Sequence, residues 1–311
     1  MKNFADRLLF KIEEMNNPTV MGLDPLIEYV PDFICKKYLN SANSVQEATG
    51  LAITEFNCRL IDAVKGIIPA VKPQFAYYEL LGIEGIRALK ATIDYAKKAG
   101  MIVIADAKRN DIGPTACAYA KSIIGSTELI DKSLVSIFDA DAVTINCYLG
   151  IDGVAPFIKE CENSGKGIFI LVRTSNPSAI EFQDLILENG KPLYHAVAQK
   201  VVEWGRTTIG ESGYSSIGAV VGATWPQQAC ELREQMKRSI ILVPGYGAQG
   251  GSAKAAAANF NSDGKGAIVN ASRSLMCAYK NTGYVPEQFE NATYDEAVRM
   301  KNELCNAIAD K

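Results

Sequence analysis

The side chains best suited to chemistry are concentrated in residues 101–115, which read MIVIADAKRNDIGPT. Asp106 and Lys108 follow a short apolar run, and residues two apart on a strand point to the same side. Asp111 comes three residues later and can fold back over the pair. Two carboxylates around one ammonium would keep that lysine protonated by Coulomb attraction. Such a group could serve catalysis or could be a structural ion-pair cluster, and this stretch alone leaves both interpretations open.

The elements that must position this stretch are visible as apolar runs that alternate with helical stripes. Eight buried strands are predicted at 19–23, 67–71, 101–105, 142–145, 167–172, 217–221, 240–243 and 267–269. Helices are predicted at 46–65, 83–98, 129–138, 153–161, 193–206, 227–236, 252–259, 273–280 and 294–309, with another that begins near residue 115. Alternating strands and helices imply a parallel sheet with right-handed crossovers.

Eight strand–helix units predict an α/β fold, a (β/α)8 TIM barrel in a single domain that covers residues 1–311. The rival fold is a doubly wound open sheet, which often has a glycine-rich phosphate turn after its first strand. Asp24-Pro25 stands there instead, so the barrel is favoured. Residues 1–18 predict an N-terminal helix that caps one barrel end with an apolar face. Residues 26–44 show little pattern and are predicted to be an insertion after the first strand.

Composition limits the partners and the location of the protein. The net charge of −3 gives no electrostatic footprint for nucleic acid or an anionic membrane. The N-terminus is charged and helix-patterned rather than a signal peptide, and no apolar stretch is long enough to predict a membrane span. The eight cysteines are scattered without a C-x-x-C pair, which favours reduced thiols in a cytoplasmic protein over a disulfide framework or a zinc site.

His195 is the single histidine of the chain, and this restricts the possible chemistry. Nucleophile activation by histidine and multi-histidine metal sites would depend on this one residue or on none. It stands in the helix-like stretch PLYHAVAQKVVEW, so we predict a structural role for it.

Most predicted strands end in a polar residue. In a barrel these ends meet at the C-terminal face, where the active sites of this fold are built. Acidic and basic residues on one rim must each be partnered or solvated, so their convergence favours a functional site over coincidence. The residues are Asp24, Lys72, Asp106, Lys108, Asn146, Arg173 and Asn270.

The loops after the seventh and eighth strands have the composition of a phosphate site. They read GYGAQGG at 245–251 and Ala271-Ser272-Arg273. Glycines let backbone N–H groups approach an anion, and an arginine can clamp it with two hydrogen bonds. These loops are the usual phosphate site of the barrel fold. The residues therefore predict a phosphorylated small-molecule substrate, but they do not specify the reaction.

The string DAKRNDIGPTA, with MGLDP upstream and PGYGAQGG downstream, resembles the signature of the orotidine 5′-phosphate decarboxylase family. It is most similar to the longer, type 2 subfamily, and the resemblance covers residues 20–273. The resemblance implies a carboxy-lyase that converts orotidine 5′-phosphate to UMP and CO2, the last step of de novo pyrimidine nucleotide biosynthesis. It also implies a homodimer that needs neither metal nor cofactor.

The resemblance assigns four catalytic residues. Lys108 matches the lysine that donates the proton replacing CO2 at C6 of the pyrimidine, and Asp106 matches the aspartate beside the departing carboxylate. Lys72 matches the lysine that bridges the ribose and that aspartate. Asp111 and Thr115 match residues that cross the dimer interface into the partner's site.

The resemblance also assigns the residues that bind the substrate. Asp24 matches an aspartate on a ribose hydroxyl, and Asn146 lies where the base edge is read. Gln249 and Arg273 match the phosphate ligands, and Ser272 stands where the family often has a glycine.

Three alternatives share this pattern in part. Magnesium-dependent sugar-phosphate decarboxylases and hexulose-phosphate synthases use the same D-x-K-x-x-D barrel, but would want a carboxylate near the end of the second strand, where Lys72 would repel a metal. A Schiff-base aldolase needs a neutral lysine, whereas flanking carboxylates favour the ammonium. A binding module without turnover would also fit the barrel, but nothing in the sequence favours it.

Overall fold

Eight of the ten strands that the structure describes are parallel and close into a barrel. The computed structural model describes residues 3–247 and 250–311. The barrel strands are β1 (Thr19–Leu23), β2 (Ala70–Pro73), β3 (Ile102–Arg109), β6 (Ala142–Ile145), β7 (Gly167–Arg173), β8 (Ser215–Val221), β9 (Ser239–Val243) and β10 (Ala267–Ala271), and β4 (Thr127–Glu128) pairs with β5 (Leu134–Val135) outside it. Around the barrel the order is β1-β10-β9-β8-β7-β6-β3-β2. The predicted TIM barrel is confirmed.

Helices cover the outside of the barrel and bury a continuous apolar layer against the strands. They are α1 (Phe4–Met15), α2 (Asp32–Leu39), α3 (Val45–Val64), α4 (Phe75–Glu79), α5 (Gly82–Lys98), α6 (Gly113–Ile123), α7 (Ile151–Ser164), α8 (Leu193–Trp204), α9 (Pro226–Gln235), α10 (Ala253–Ala257), α11 (Arg273–Met276), α12 (Ala278–Asn281) and α13 (Phe289–Ala309).

The inward faces of the strands change from apolar to charged towards the C-terminal face. On β3, Ile102 and Ile104 belong to the apolar cluster inside the barrel, and Asp106 follows on the same strand face. On β2, Ala70 belongs to that cluster and Lys72 follows it. Since alternate residues of a strand face the same side, this period of two places the charges directly above the apolar interior.

The predicted N-terminal capping helix is α1, and it packs against the interior cluster at the N-terminal end of the barrel. Its Phe4 ring meets Phe169 edge-on, with ring centroids 5.9 Å apart. Gly167 makes room for that ring, because a Cβ there would lie 2.2 Å from Phe4. The apolar face of α1 thus fills the end of the barrel opposite the polar rim.

Residues 26–44 are more regular than the sequence pattern indicated. They contain a 3-10 turn at Ile27–Tyr29 and the helix α2, which packs on the core through Ile34. Asp32 in the first turn and Lys36 in the last turn complement the helix dipole, a signal that was present in the sequence.

A predicted helix and the start of a predicted strand are wrong. The segment 129–138 is not a helix, because the Asp131 carboxylate accepts the backbone N–H of Ser133 at 3.0 Å and Lys132 has a φ of +68°. Such side-chain bonds compete with a helix, and a β4–β5 hairpin forms instead. The second strand begins at residue 70 rather than 67, because the N–H of Ile67 is bound to the Val64 carbonyl in the turn that ends α3.

Candidate active site

A cavity of about 770 Å³ opens at the C-terminal face of the barrel. Its apolar floor includes Leu171, Val220 and Leu242, which lie on neighbouring strands. The structure brings six of the predicted site residues together around it, namely Asp24, Lys72, Asp106, Lys108, Ser272 and Arg273. The cavity is therefore where the predicted chemistry can be assembled.

The Asp106 carboxylate is the centre of a buried hydrogen-bond network. Its Oδ1 accepts from Lys108 Nζ at 2.6 Å and from Thr144 Oγ1 at 2.8 Å. Its Oδ2 accepts from Lys72 Nζ at 2.8 Å and from Gln74 Nε2 at 2.9 Å. A carboxylate has about four lone-pair positions, so this group is fully satisfied and fixed in orientation.

The charges of this network stabilise one another. Burial alone would raise the pKa of Asp106, but the ammonium groups of Lys72 and Lys108 outweigh burial and hold that pKa well below its usual range. Burial alone would lower the pKa of Lys72, but the Asp106 and Asp24 carboxylates raise it above its ordinary value. At neutral pH the buried carboxylate is therefore ionised and Lys72 is a cation.

The two lysines differ in access to the cavity. The Lys72 side chain is 4% exposed, and its Nζ also lies 3.9 Å from Asp24 Oδ1. The Lys108 side chain is 47% exposed. Lys72 can therefore act as a fixed cation under the cavity, whereas the Lys108 ammonium can meet a ligand and transfer a proton to it.

Lys108 has an unusual backbone conformation, with a φ of +45°. Residues with a side chain avoid this left-handed region, at a cost of about 1–2 kcal/mol. The pairing of β3 with β6 shifts register here, between Ala105 and Arg109. An irregular strand end next to an active site is a common means of directing a side chain.

The strand ends β1 and β10 meet closely at one side of the cavity. A Cβ on Gly22 would lie 1.9 Å from Ser272 Oγ and 3.0 Å from Asn270 Oδ1, so a glycine at this position leaves space for both side chains. Asn270 Oδ1 and Asp24 Oδ1 are buried and accept no hydrogen bond from residues 3–247 or 250–311. These acceptors suit hydroxyl groups of a polar ligand.

The glycine-rich loop after β9 has the conformation that glycine permits. Gly245, Gly247 and Gly250 have φ angles of 90°, 70° and 88°. Arg273 is exposed at the cavity, and its guanidinium makes no hydrogen bond or ion pair with residues 3–247 or 250–311. The predicted phosphate ligand Gln249 lies outside the described residues.

Three predicted site residues lie away from the cavity lining. The Asp111 carboxylate accepts the backbone N–H of Ile112 at 2.8 Å, Thr115 is exposed on α6, and Asn146 Oδ1 accepts the N–H of Tyr148 at 3.0 Å. In the described part of the chain no ion pair joins Asp111 to Lys108. The expectation that Asp111 folds back over the pair within the same chain is therefore wrong.

Gln74 and Thr144 were missed by the sequence reasoning, although both bind Asp106 directly. Gln74 could have been found, because it follows Lys72 by two residues and so continues the same strand face. Tyr29, from the segment taken for a patternless insertion, also lines the cavity. Thr144 offered no such signal, because a threonine inside a predicted strand is typical of strand composition.

Two charged or titratable residues singled out in the sequence have structural roles. The Arg173 guanidinium is fully buried 4.1 Å from the Trp225 ring centroid, and it donates to Gln183 and Asp184 at 3.2 Å. It thereby fastens the segment 174–184, part of the cavity wall, to the barrel. His195 bridges α8 and α9 through a 2.9 Å contact between its Nδ1 and Gln235 Oε1, as the structural interpretation predicts.

Among residues 3–247 and 250–311, no helix combines the length and the apolar character needed to cross a bilayer.

Comparisons with known proteins agree on one family. A family model described as orotidine 5′-phosphate decarboxylase / HUMPS family matches residues 32–283. Orotidine 5′-phosphate decarboxylase of Caldicellulosiruptor saccharolyticus is 41% identical over 99% of this chain and 100% of its own length. The structure of Leishmania donovani OMP decarboxylase has a TM-score of 0.73 at 29% identity, with 99% of each chain covered. Leishmania donovani UMP synthase gives a TM-score of 0.76 at 31% identity over 99% of this chain, which spans 57% of that protein.

Proposed function

Since the chain belongs to the orotidine 5′-phosphate decarboxylase / HUMPS family, we propose that it converts orotidine 5′-phosphate to UMP and CO2. This carboxy-lyase reaction is the last step of de novo pyrimidine nucleotide biosynthesis. The observation that carries the proposal is the Asp106 carboxylate held between the Lys72 and Lys108 ammonium groups at the mouth of the barrel.

The reaction places its difficulty on one ring carbon. When the bond between C6 and the carboxylate breaks, CO2 leaves and the electron pair stays on C6. The Lys108 ammonium stabilises this developing charge and then gives its proton to C6, so that a C–H bond replaces the lost C–C bond. Lysine is left neutral and regains a proton from solvent. Because Asp106 and Lys72 already hold their positions, little reorganisation is needed at the moment of reaction.

The substrate phosphate binds, in this proposal, between the glycine loop 245–251 and Arg273. The exposed Arg273 guanidinium is available for such a contact, and the open φ angles of the loop glycines let N–H groups approach an anion. Gln249 completes this site, and Asp24 and Ser272 contact the ribose and phosphate ends of the same ligand. Asn146 reads the base edge after a change of its present hydrogen bond.

Arg273→Ala is expected to raise KM for orotidine 5′-phosphate about 10- to 100-fold, equivalent to about 1.5–3 kcal/mol of a charge-assisted clamp. Steady-state kinetics measure this change directly. Arg87→Ala is the matched control, because Arg87 is an exposed arginine on α5, remote from the cavity lining. A KM for Arg273→Ala equal to that of the control would contradict the phosphate assignment.

A magnesium-dependent sugar-phosphate decarboxylase or hexulose-phosphate synthase is the alternative function, because the D-x-K-x-x-D pattern at residues 106–111 also resembles those enzymes. The arrangement at Asp106 disfavours it, since both carboxylate oxygens are already bound by ammonium groups. A Schiff-base aldolase is disfavoured because its nucleophilic lysine must be neutral, whereas the Asp106 carboxylate favours the charged form of the lysines that it binds.

An absorbance assay for loss of orotidine 5′-phosphate, run with and without EDTA, tests the proposed function. We expect turnover that EDTA leaves unchanged, because Lys108 itself supplies the cation and the proton. If EDTA abolished turnover and added Mg²⁺ restored it, the result would instead support the magnesium-dependent mechanism. Absence of any turnover of orotidine 5′-phosphate would overturn the proposal.

The protein acts, in this proposal, as a homodimer in which Asp111 and Thr115 reach the partner's cavity. The support is a patch of exposed apolar side chains next to these residues, which a second subunit would cover. The patch comprises Ile112, Tyr148, Leu149 and Ile151.

A cytoplasmic location is supported by the eight cysteines, all of which are free thiols. The proposed substrate is a small molecule, and the net charge of −3 speaks against a nucleic-acid partner.

A further inference from the structure

The Thr144 hydroxyl is hydrogen-bonded to both Asp106 and Lys108, the two site residues on β3. It lies on the neighbouring strand β6, and the residue is 1% exposed. Its Oγ1 donates to Asp106 Oδ1 at 2.8 Å and accepts the backbone N–H of Lys108 at 3.0 Å. A hydroxyl has a single proton to donate, so these two partners fix both its donor and its acceptor roles.

The register of the two strands explains why this hydroxyl is needed. Ala105 is paired with Val143 and Arg109 with Ile145, so three residues of β3 stand opposite the single residue Thr144. The regular ladder is therefore interrupted where Lys108 needs an acceptor for its backbone N–H. Thr144 Oγ1 supplies that acceptor in place of a strand carbonyl, at the residue whose φ is +45°.

We propose that Thr144 is a positioning residue for the reaction, and that its hydroxyl fixes the left-handed backbone at Lys108 and so the place of the Nζ proton. This inference rests on the proposed function for its kinetic readout. The same hydroxyl also orients the carboxylate that holds the ammonium. The Thr144 side chain thus positions Lys108 both through the lysine backbone and through the carboxylate that binds the lysine ammonium. Thr144 itself need not touch the substrate.

Removing the hydroxyl at constant shape tests the proposal. Thr144→Val keeps the branched side chain, and we expect kcat to fall about 10- to 100-fold with KM changed less than about threefold, because misplacement of a reacting group by about 1 Å has effects of this size. Thr144→Ser restores the hydroxyl and should recover most of the lost kcat. Thr92→Val is the matched control, since it also removes a buried threonine hydroxyl. The Thr92 hydroxyl, on α5, accepts a hydrogen bond from Asn57 on α3 and lies outside the cavity lining.

A second measurement separates failure of this inference from failure of the proposed function. Labelling of Lys108 by an amine-directed reagent, followed by mass spectrometry, needs no substrate. We expect Lys108 to be labelled faster in Thr144→Val than in wild type or in Thr92→Val. The labelling rate in Thr144→Ser should lie between those of wild type and Thr144→Val. Labelling of Lys108 at the wild-type rate in folded Thr144→Val, or equal kinetic losses in the valine and serine variants, would overturn the positioning role. Absence of turnover in the wild-type protein would overturn the proposed function instead.

Discussion

Lys108→Ala is expected to lower the rate of conversion of orotidine 5′-phosphate to UMP by at least about 1,000-fold. The variant loses both the cation that stabilises charge at C6 and the proton that replaces CO2, and each of these contributions is typically worth about 100-fold or more. Single-turnover absorbance measurements with excess enzyme report the chemical step directly.

Binding should largely survive in the same variant, because Asp24, Arg273 and the loop 245–251 are unchanged. Calorimetric titration with UMP measures this retained affinity. Lys90→Ala is the matched control, since Lys90 pairs with Asp94 on the surface of α5. Turnover of Lys108→Ala close to that of the control would refute the proton-donor role.

Mixing two inactive variants tests the homodimer proposal. In a dimer of one Lys108→Ala subunit and one Asp111→Ala subunit, one of the two sites has both native residues if Asp111 crosses the interface. Random reassembly should therefore restore up to about a quarter of wild-type activity. If Asp111 acted within its own chain, both sites would remain defective and mixing would restore nothing.

Asp106→Asn is expected to destabilise the fold by about 3 kcal/mol, as well as to impair turnover severely. The substitution leaves the buried Lys72 ammonium without its nearest counter-ion, and breaking a buried pair typically costs about 3–5 kcal/mol. The lower end applies, because Asp24 remains 3.9 Å from Lys72 Nζ. Urea unfolding of both proteins at pH 7 measures the difference in the free energy of unfolding.

The pH dependence of that difference has a defined sign. The folded pKa of Asp106 lies below its unfolded value of about 3.9, so its stabilisation is present above about pH 4 and is lost as the pH falls further. The folded pKa of Lys72 is raised, so its contribution is present below about pH 10 and is lost at higher pH. Wild type and Asp106→Asn should therefore converge in acid.

Asp94→Asn provides the control for charge removal as such. Asp94 pairs with Lys90 on an exposed helix face, where such a pair contributes about 0.5 kcal/mol or less. A difference between wild type and Asp106→Asn that stayed constant from pH 7 to pH 3, or that matched the Asp94 control, would contradict the buried-pair account.

The sequence predicted the barrel and the meeting of Lys72, Asp106 and Lys108 for the same physical reason. Strands buried on both faces are continuous apolar runs, and each run ends where its side chains reach the open rim. The period of two then places the rim charges on the inward face. These signals are local, so they survive without knowledge of the tertiary contacts.

The details that the sequence did not predict depend on irregularities of the backbone. The bond from Lys108 N–H to Thr144 exists because β3 carries extra residues opposite β6, and no residue pattern marks that shift. The segment 129–138 has the apolar content of a helix, but the bonds of Asp131 to Ser133 favour a turn. The position of Asp111 within its own chain follows from a local bond to Ile112, which spacing from Lys108 does not indicate.

The packing of α1 against the barrel end has a consequence for the path of the products. Phe4 and Leu8 pack with Ile104 and Ile268 in one buried apolar cluster beneath the charged network. In the proposed reaction CO2 forms beside Asp106, and this cluster of described residues closes the axis of the barrel below that point. Substrate and both products of the proposed reaction would therefore pass through the cavity at the C-terminal face of the barrel.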